Sequence, residues 1–292
     1  MLRRNAMFRR RQTAQQSATH ADHARYDAVF FDMYGTLVDI RNDETADRPW
    51  QALWRFFADH GVYFDAVDDL RAEFGRYLAQ EKTSVAARLA RERIEVADEG
   101  EVEPDYLCVY SALIAAHGRD DGGATDNDRT SATAELAAQA GRLFRDAATP
   151  QLRLYSGAEA LLGRLHDVGI RTLLVSNAQA CFTRGEIQRL GLHMMLDDML
   201  LSSDYGVKKP NTWFFEEALH LAGTLASRTL MVGNEERADI LGAARAGIDA
   251  AYLCTEQSVG DAPRIAQHAT RSFAGADYGA LGAYIFNEER GR

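Results

Sequence analysis

The chain has 292 residues, 46% of them hydrophobic, and carries a net charge of −10. That length and apolar content can bury one large core or two smaller ones. No apolar run approaches the roughly 18 residues that span a bilayer, and the acidic balance argues against a nucleic-acid-binding surface.

Residues 1–25 hold six Arg and one Asp, which leaves about −15 on the remainder. The Arg3, Arg4, Arg9, Arg10, Arg11 cluster has no apolar run behind it, so it does not read as a secretory signal. It shares the Arg-rich, acid-poor character of a transit peptide, but a disordered basic tail, or a chain that starts at Met7, is the expected reading. Cys108, Cys181 and Cys254 lie far apart in no metal-ligand spacing. They are expected to be reduced packing residues in a reducing, cytoplasmic compartment.

Ala28 to Phe31 is an apolar run of strand length that ends on a carboxylate, Asp32, with the turn former Gly35 three residues on. Taken alone, such an Asp is most often a loop residue or a helix cap. At the end of a central parallel strand it stands where open α/β sheets bind their ligands. In that turn Thr36 could hold Asp32 through its hydroxyl.

Residues 44–117 read as helical. Trp50, Leu53, Trp54 and Phe57 mark one apolar face, which reads as core rather than a substrate platform. Further helical stretches are expected over 66–95, Tyr106 to Ala116 and Thr133 to Ala147, with a polar loop from Gly118 to Thr130. From Ser156 the texture changes. Ser156 with Glu159 reads as a capping box opening a helix through Leu161, Leu162 and Leu165. Strands follow at Thr172 to Val175, Met199 to Leu201, Thr229 to Val232 and Ala250 to Leu253. Between them stand the helices Phe182–Leu190, Trp213–Ala222 and Ala238–Ala246. This alternation predicts βαβ units and a parallel sheet.

Three more segments carry chemistry-bearing residues. Val175-Ser176-Asn177 ends a strand, where a hydroxyl and backbone N–H groups could bind a phosphoryl or carboxylate oxygen, although a Ser there is commonly just a helix cap. Gly206-Val207-Lys208-Lys209-Pro210 offers cations that would otherwise read as a solvated loop. Val232-Gly233-Asn234-Glu235-Glu236-Arg237-Ala238-Asp239 ends another strand on a cluster of acids. The eight His are scattered and form no ligand spacing.

Together with Asp32-Met33-Tyr34-Gly35-Thr36, these segments resemble, in order, the four motifs of the haloacid dehalogenase superfamily. The resemblance implies an α/β fold, a Rossmann-like parallel sheet core with an inserted all-helical cap after the first motif. Residues 26–41 and 151–292 would form the core, 42–150 the cap and 1–25 the tail. It further implies a nucleophile at Asp32, a cation at Lys209 and oxyanion-binding groups at Thr36, Ser176 and Asn177. Mg2+ would be held by Asp32, the backbone carbonyl of Tyr34 and Asn234, while Asp239 holds metal-bound waters or Lys209. Glu235 stays open as a ligand, and Glu236 reads as an acid stabilising the start of its helix.

Two positions depart from the family's phosphatases, which carry Asp where this chain has Tyr34 and Asn234. A phenol, titrating near ~10, is a poor replacement for the acid that protonates the leaving group. Metal-independent 2-haloacid dehalogenases of the family have Tyr at the first position. They use a cap Arg on the substrate carboxylate, for which Arg41, Arg48 and Arg55 are candidates. The acidic fourth motif favours a magnesium-dependent phosphatase acting on a small phosphomonoester through an aspartyl-phosphate, because converging carboxylates need a cation. The dehalogenase is the alternative, followed by a near-inactive member that binds a ligand or partner. The expected partner is a small molecule, with neither nucleic acid nor membrane, and the sequence does not fix the oligomeric state.

Overall fold

The computed structural model describes residues 25–119, 126–258 and 264–288. The basic tail up to residue 24 and the centre of the expected 118–130 loop lie outside the described residues.

A parallel sheet forms the core. In chain order its strands are β1 (Ala28–Phe31), β4 (Arg171–Ser176), β5 (Asp198–Leu201), β6 (Thr229–Gly233), β7 (Asp249–Cys254) and β8 (Arg271–Ala274). Their spatial order is β5-β4-β1-β6-β7-β8, every neighbouring pair parallel. β1 lies between β4 and β6, so the chain runs outward on one side through β4 and β5, then returns to β6 on the other. That reversal opens a crevice at the C-terminal ends of these strands, where open α/β sheets bind ligands.

Alternation along the strands feeds two cores, one on each face. Val29, Phe31, Leu174 and Val232 pack with Leu161, Leu162 and Leu165 of α5 (Ala158–Asp167) and Leu281 and Ile285 of α10 (Tyr278–Ile285). Ala28, Phe30, Leu173 and Met231 pack on the opposite face against Phe214, Phe215 and Ala218 of α8 (Thr212–Ala222). All four residues of β1 are fully buried, which is why this strand reads as an unbroken apolar run.

Two short strands, β2 (Val38–Arg41) and β3 (Gln151–Leu154), pair antiparallel beside the sheet. Between them run α1 (Asp47–Asp59), α2 (Val67–Glu92), α3 (Tyr106–His117) and α4 (Asp126–Ala148). Leu53 and Phe57 of α1, Phe74 of α2, Tyr110 and Leu113 of α3 and Phe144 of α4 form a third hydrophobic cluster. Trp50 and Trp54 pack against it, their indole N–H groups donating to the carbonyls of Glu44 and Phe64. The far end of α2 leaves this cluster. Val85 and Leu89, with Val102, join the sheet-face core around Phe214.

Several elements differ from the sequence reading. β2, β3, β8 and α10 were not expected; the strands are four residues each, and Asp39 opposite Arg153 interrupts the apolar pattern of the first pair. α4 starts at Asp126, ahead of Thr133. The Ser156–Glu159 capping box does not form: the residue before α5 is Gly157, at φ +89°, and no side chain caps the helix. The helix expected over Ala238–Ala246 opens instead as a π-helical turn, Glu236–Leu241, followed by α9 (Gly242–Arg245). Among the described residues no helix is long and apolar enough to cross a membrane.

Candidate active site

The three strand ends around the crevice deliver Asp32 after β1, Ser176 at the end of β4, and Asn234 and Glu235 after β6. Asp32 extends the ladder by one bond, its N–H donating to the Val232 carbonyl at 3.0 Å. The loop after β5 and the short helix α7 (Ser202–Tyr205) adds Lys209.

Lys209 is buried, and each of its three ammonium protons has a partner. Nζ lies 2.8 Å from Asp32 Oδ1, 2.7 Å from Asp239 Oδ1 and 2.7 Å from the Val175 carbonyl. Ser176 Oγ donates to the same Asp32 oxygen at 3.0 Å. Two donors therefore fix Oδ1, while Oδ2 has no partner among the described residues. Asn177 braces the lysine loop: its Oδ1 accepts from the Lys209 N–H at 2.9 Å and its Nδ2 donates to the Lys209 carbonyl at 3.0 Å. The π-helical turn positions Asp239, since the N–H groups of both Asp239 and Ile240 reach the Glu235 carbonyl. The Glu235 N–H in turn donates to Asp239 Oδ2 at 2.9 Å.

Asp32, Tyr34, Ser176, Asn177, Lys209, Glu235, Ala238 and Asp239 line a cavity of about 90 Å³. Its electrostatics are unbalanced, with three carboxylates facing one ammonium. Burial works against the Lys209 ammonium, but Asp239 and Asp32 outweigh it and hold its pKa above the ordinary lysine value. Burial also raises the Asp239 carboxyl; Lys209 opposes this, while Asp32 and Glu235 reinforce it. Glu235 opens toward the cavity, yet the surrounding protein and then the Asp32 charge raise its carboxyl too, against the pull of Lys209 and Lys208. Burial is the largest influence on all three groups, and the excess of negative charge raises each of them further.

Other expected site residues sit differently. Thr36 is fully buried and its hydroxyl donates to Asn234 Oδ1 at 3.0 Å, not to Asp32. The Asn234 amide packs on Gly35, which sits at φ +79°; a Cβ there would collide with it, so the turn requires glycine. Asn234 is not among the residues lining the cavity, whereas Glu235 is. Lys208 is not a free surface cation: its Nζ lies 3.3 Å from Glu103 Oε2. Glu236 does stand as expected, an acid in the first turn of its helical segment, where it accepts from the Gln267 N–H at the surface.

The Tyr34 hydroxyl donates to Glu186 Oε2 in a short contact and lies 2.9 Å from Thr183 Oγ1, both on α6 (Ala180–Arg189). Burial raises its pKa, Arg145 opposes this, and Glu186 adds to the rise, so the phenol stays protonated. Arg145 of α4 completes the group, with Nε 2.8 Å from Glu186 Oε1, Nη1 2.9 Å from Glu44 Oε1, and its guanidinium 5.0 Å from the Tyr34 ring centroid. Arg41, Arg48 and Arg55 are exposed and do not line this cavity.

Arg145, Glu186, Glu44 and Gln179 were missed in the sequence. Gln179 ties the helical insertion to the core, with Oε1 accepting from the Tyr106 N–H and Nε2 donating to Glu103 and the Pro104 carbonyl. One signal was available for Glu186: it shares the buried face of α6 with Phe182, Thr183 and Ile187, an acid where helical spacing calls for an apolar side chain. The others stand in no motif.

Comparison with known proteins identifies relatives in sequence and in fold. A stretch of 105 residues is 36% identical to a glyceraldehyde 3-phosphate phosphatase of Methanothermobacter thermautotrophicus, covering 36% of this chain and 46% of that protein. Over 111 residues the chain is 34% identical to the pyrimidine 5′-nucleotidase YjjG of Escherichia coli, covering 37% and 49% respectively. The chain thus spans about half the length of the curated relatives it matches. A 2-haloacid dehalogenase from Pseudomonas syringae pv. Tomato shares the fold, with a TM-score of 0.52 at 20% identity over 88% of this chain and 97% of that one. Residues 26–247 match the haloacid dehalogenase-like hydrolases, and the chain belongs to that family.

Proposed function

We propose that this protein is a magnesium-dependent phosphomonoester hydrolase that works through an aspartyl-phosphate on Asp32. The observation that carries the reading is the charge imbalance of the 90 Å³ cavity, where Asp32, Asp239 and Glu235 face only Lys209. Three carboxylates converging on a single ammonium leave an excess of negative charge that a further cation would offset. The oxygen-only donor set suits Mg2+. Asp32, the Tyr34 backbone carbonyl and Glu235 would hold the ion; Asn234, its oxygen engaged by Thr36, braces the turn instead. When bound, the ion offsets the charge of nucleophile and phosphoryl group and fixes their approach.

In this reading Ser176 and Lys209 orient Asp32 through Oδ1, and Oδ2 attacks phosphorus as the bond to the leaving oxygen breaks. Lys209 balances charge on the transferring group. Water then attacks phosphorus, releasing phosphate and regenerating the Asp32 carboxylate. Tyr34 cannot take the part of the missing acid, because its proton is committed to Glu186. The leaving oxygen takes its proton from water, and activated esters are favoured. The phosphatase and nucleotidase names of the relatives support a small phosphomonoester substrate.

The test is hydrolysis of an aryl phosphate with and without magnesium, beside Asp32→Asn. Metal-dependent turnover, reduced by about 10⁴-fold or more in the variant, is the expected result. Chloride release from a 2-chloroacid without metal would overturn the phosphatase in favour of the dehalogenase. Silence toward both, in a folded protein, would favour a binding role.

A further inference from the structure

A second chamber of about 250 Å³ adjoins the catalytic cavity and shares Tyr34 and Asn177 with it. It lies between the core and the helical insertion. At this volume it is smaller than the roughly 300–1,000 Å³ typical of pockets for drug-sized ligands. Any group attached to a phosphoryl at Asp32 and extending past Tyr34 enters it.

The charges on its wall are already spoken for. Arg145 is the only cation among the described lining residues, and it is shared by two carboxylates, Glu44 at 2.9 Å and Glu186 at 2.8 Å. Its guanidinium also sits 5.0 Å from the Tyr34 ring centroid and 4.7 Å from that of Phe182. Glu103, the other acid of the wall, takes Gln179 on one oxygen and Ser202 and Lys208 on the other. Three polar groups remain without a partner among the described residues: Arg145 Nη2, Glu44 Oε2 and the Tyr106 hydroxyl. They combine donors with a carboxylate acceptor. That combination suits a hydroxyl, which donates and accepts, and opposes a second anion, which only accepts and meets Glu44.

We propose that this chamber is a charge filter for the leaving group, admitting a small uncharged hydroxylated group and rejecting one that bears a second anion, with Glu44 as the discriminating residue. The inference rests on the hydrolase reading above and adds to it the class of leaving group. Glu44 holds the filter because it both neutralises Arg145 and presents its own free oxygen. With Glu44→Gln the guanidinium keeps only Glu186 and gains capacity for a substrate carboxylate.

A matched pair of esters tests this: sn-glycerol 3-phosphate and 3-phosphoglycerate share a three-carbon skeleton and differ in a terminal hydroxymethyl or carboxylate. Wild type should favour the glycerol ester in kcat/KM by about a hundredfold. Glu44→Gln, checked for folding by its melting curve, should narrow that ratio by about tenfold. Equal turnover of the two esters by wild type, or an unchanged ratio in a folded Glu44→Gln, overturns the filter and leaves the hydrolase standing. If the variant does not fold, the wild-type ratio decides. If neither of these unactivated esters is hydrolysed, the aryl phosphate assay still decides the hydrolase reading, and calorimetric binding of both esters to Asp32→Asn decides the filter. Tighter binding of the glycerol ester supports it; equal affinity, or no binding of either, overturns it.

Discussion

The catalytic cavity and the chamber beside it share a wall at Tyr34 and Asn177 but are assembled differently. The cavity takes its groups from strand ends of one sheet, where hydrogen-bonded register holds Asp32, Ser176 and the Val175 carbonyl in fixed relation. Its sole ammonium is sealed from water and fully partnered. The chamber draws on Glu44 before α1, Glu103 between helices, Arg145 on α4 and Glu186 on α6. These come from separate elements: Arg145 joins Glu44 to Glu186, while Gln179, Ser202 and Lys208 hold Glu103. Glu44, with 31% of its side chain exposed, still reaches water. In the function proposed above, a rigid sheet edge thus holds the residues that need fixed geometry for chemistry, and packed helices hold those that would sort substrates. The chamber is the part that can change without disturbing the nucleophile.

If that contrast is right, the largest effect comes from the sealed cation. Lys209→Met leaves Asp32 and Asp239 facing each other with no counter-charge, and should cost about 3–5 kcal/mol of stability along with turnover. Urea denaturation checks the first and aryl phosphate hydrolysis the second. Adding Asp239→Asn to Lys209→Met should restore part of the stability and none of the activity. Recovery of both would break the distinction between charge compensation and catalysis at this site.

Arg145→Met is the matching test in the chamber and should cost less, about 2–3 kcal/mol. Glu186, with its side chain 1% exposed, keeps the Tyr34 hydroxyl as a donor, and Glu44 turns to solvent. Pairing the change with Glu186→Gln should recover most of the loss in the same denaturation experiment. A cost equal to that of Lys209→Met would mean the chamber is as tightly built as the cavity.

The same contrast explains what the sequence made legible. Residues fixed by strand ends come in contiguous runs, so Asp32 with Gly35, Lys209 before Pro210, and the acids from Glu235 to Asp239 could be found as short motifs. Their partners could not be read so closely. Whether Asn234 or Glu235 faces the cavity depends on the Thr36 hydroxyl and on a π-helical turn, neither of which leaves a periodic signal. Arg145 stands 41 residues from Glu186 and 101 from Glu44, and nothing local to α4 marks it among neighbouring charged residues. The four-residue strands β2, β3 and β8 each carry polar or charged residues, among them Asp39, Arg153 and Arg271, so they lack the unbroken apolar run that marks the equally short β1.

The smallest effect belongs to a pair that lies wholly outside both sites. Glu73 on α2 accepts from Arg76 one turn away and faces His117 Nε2 at 3.3 Å. The Arg76 hydrogen bond, against a desolvation cost and with help from His117, holds the Glu73 carboxyl down to about 2. A carboxyl lowered on folding stabilises the native state above its ordinary pKa, and that contribution is lost as pH falls toward the folded value. Glu73→Gln should therefore melt below wild type at pH 6, with the gap closing between pH 4.5 and 2. Because the pair is solvated, the gap should be only about 1–2 °C. A gap that persists unchanged below pH 3 would show that Glu73 acts through packing rather than charge. A gap of many degrees would show that water screens this surface far less than it should, and would erase the contrast between open and sealed charge drawn from Arg145 and Lys209.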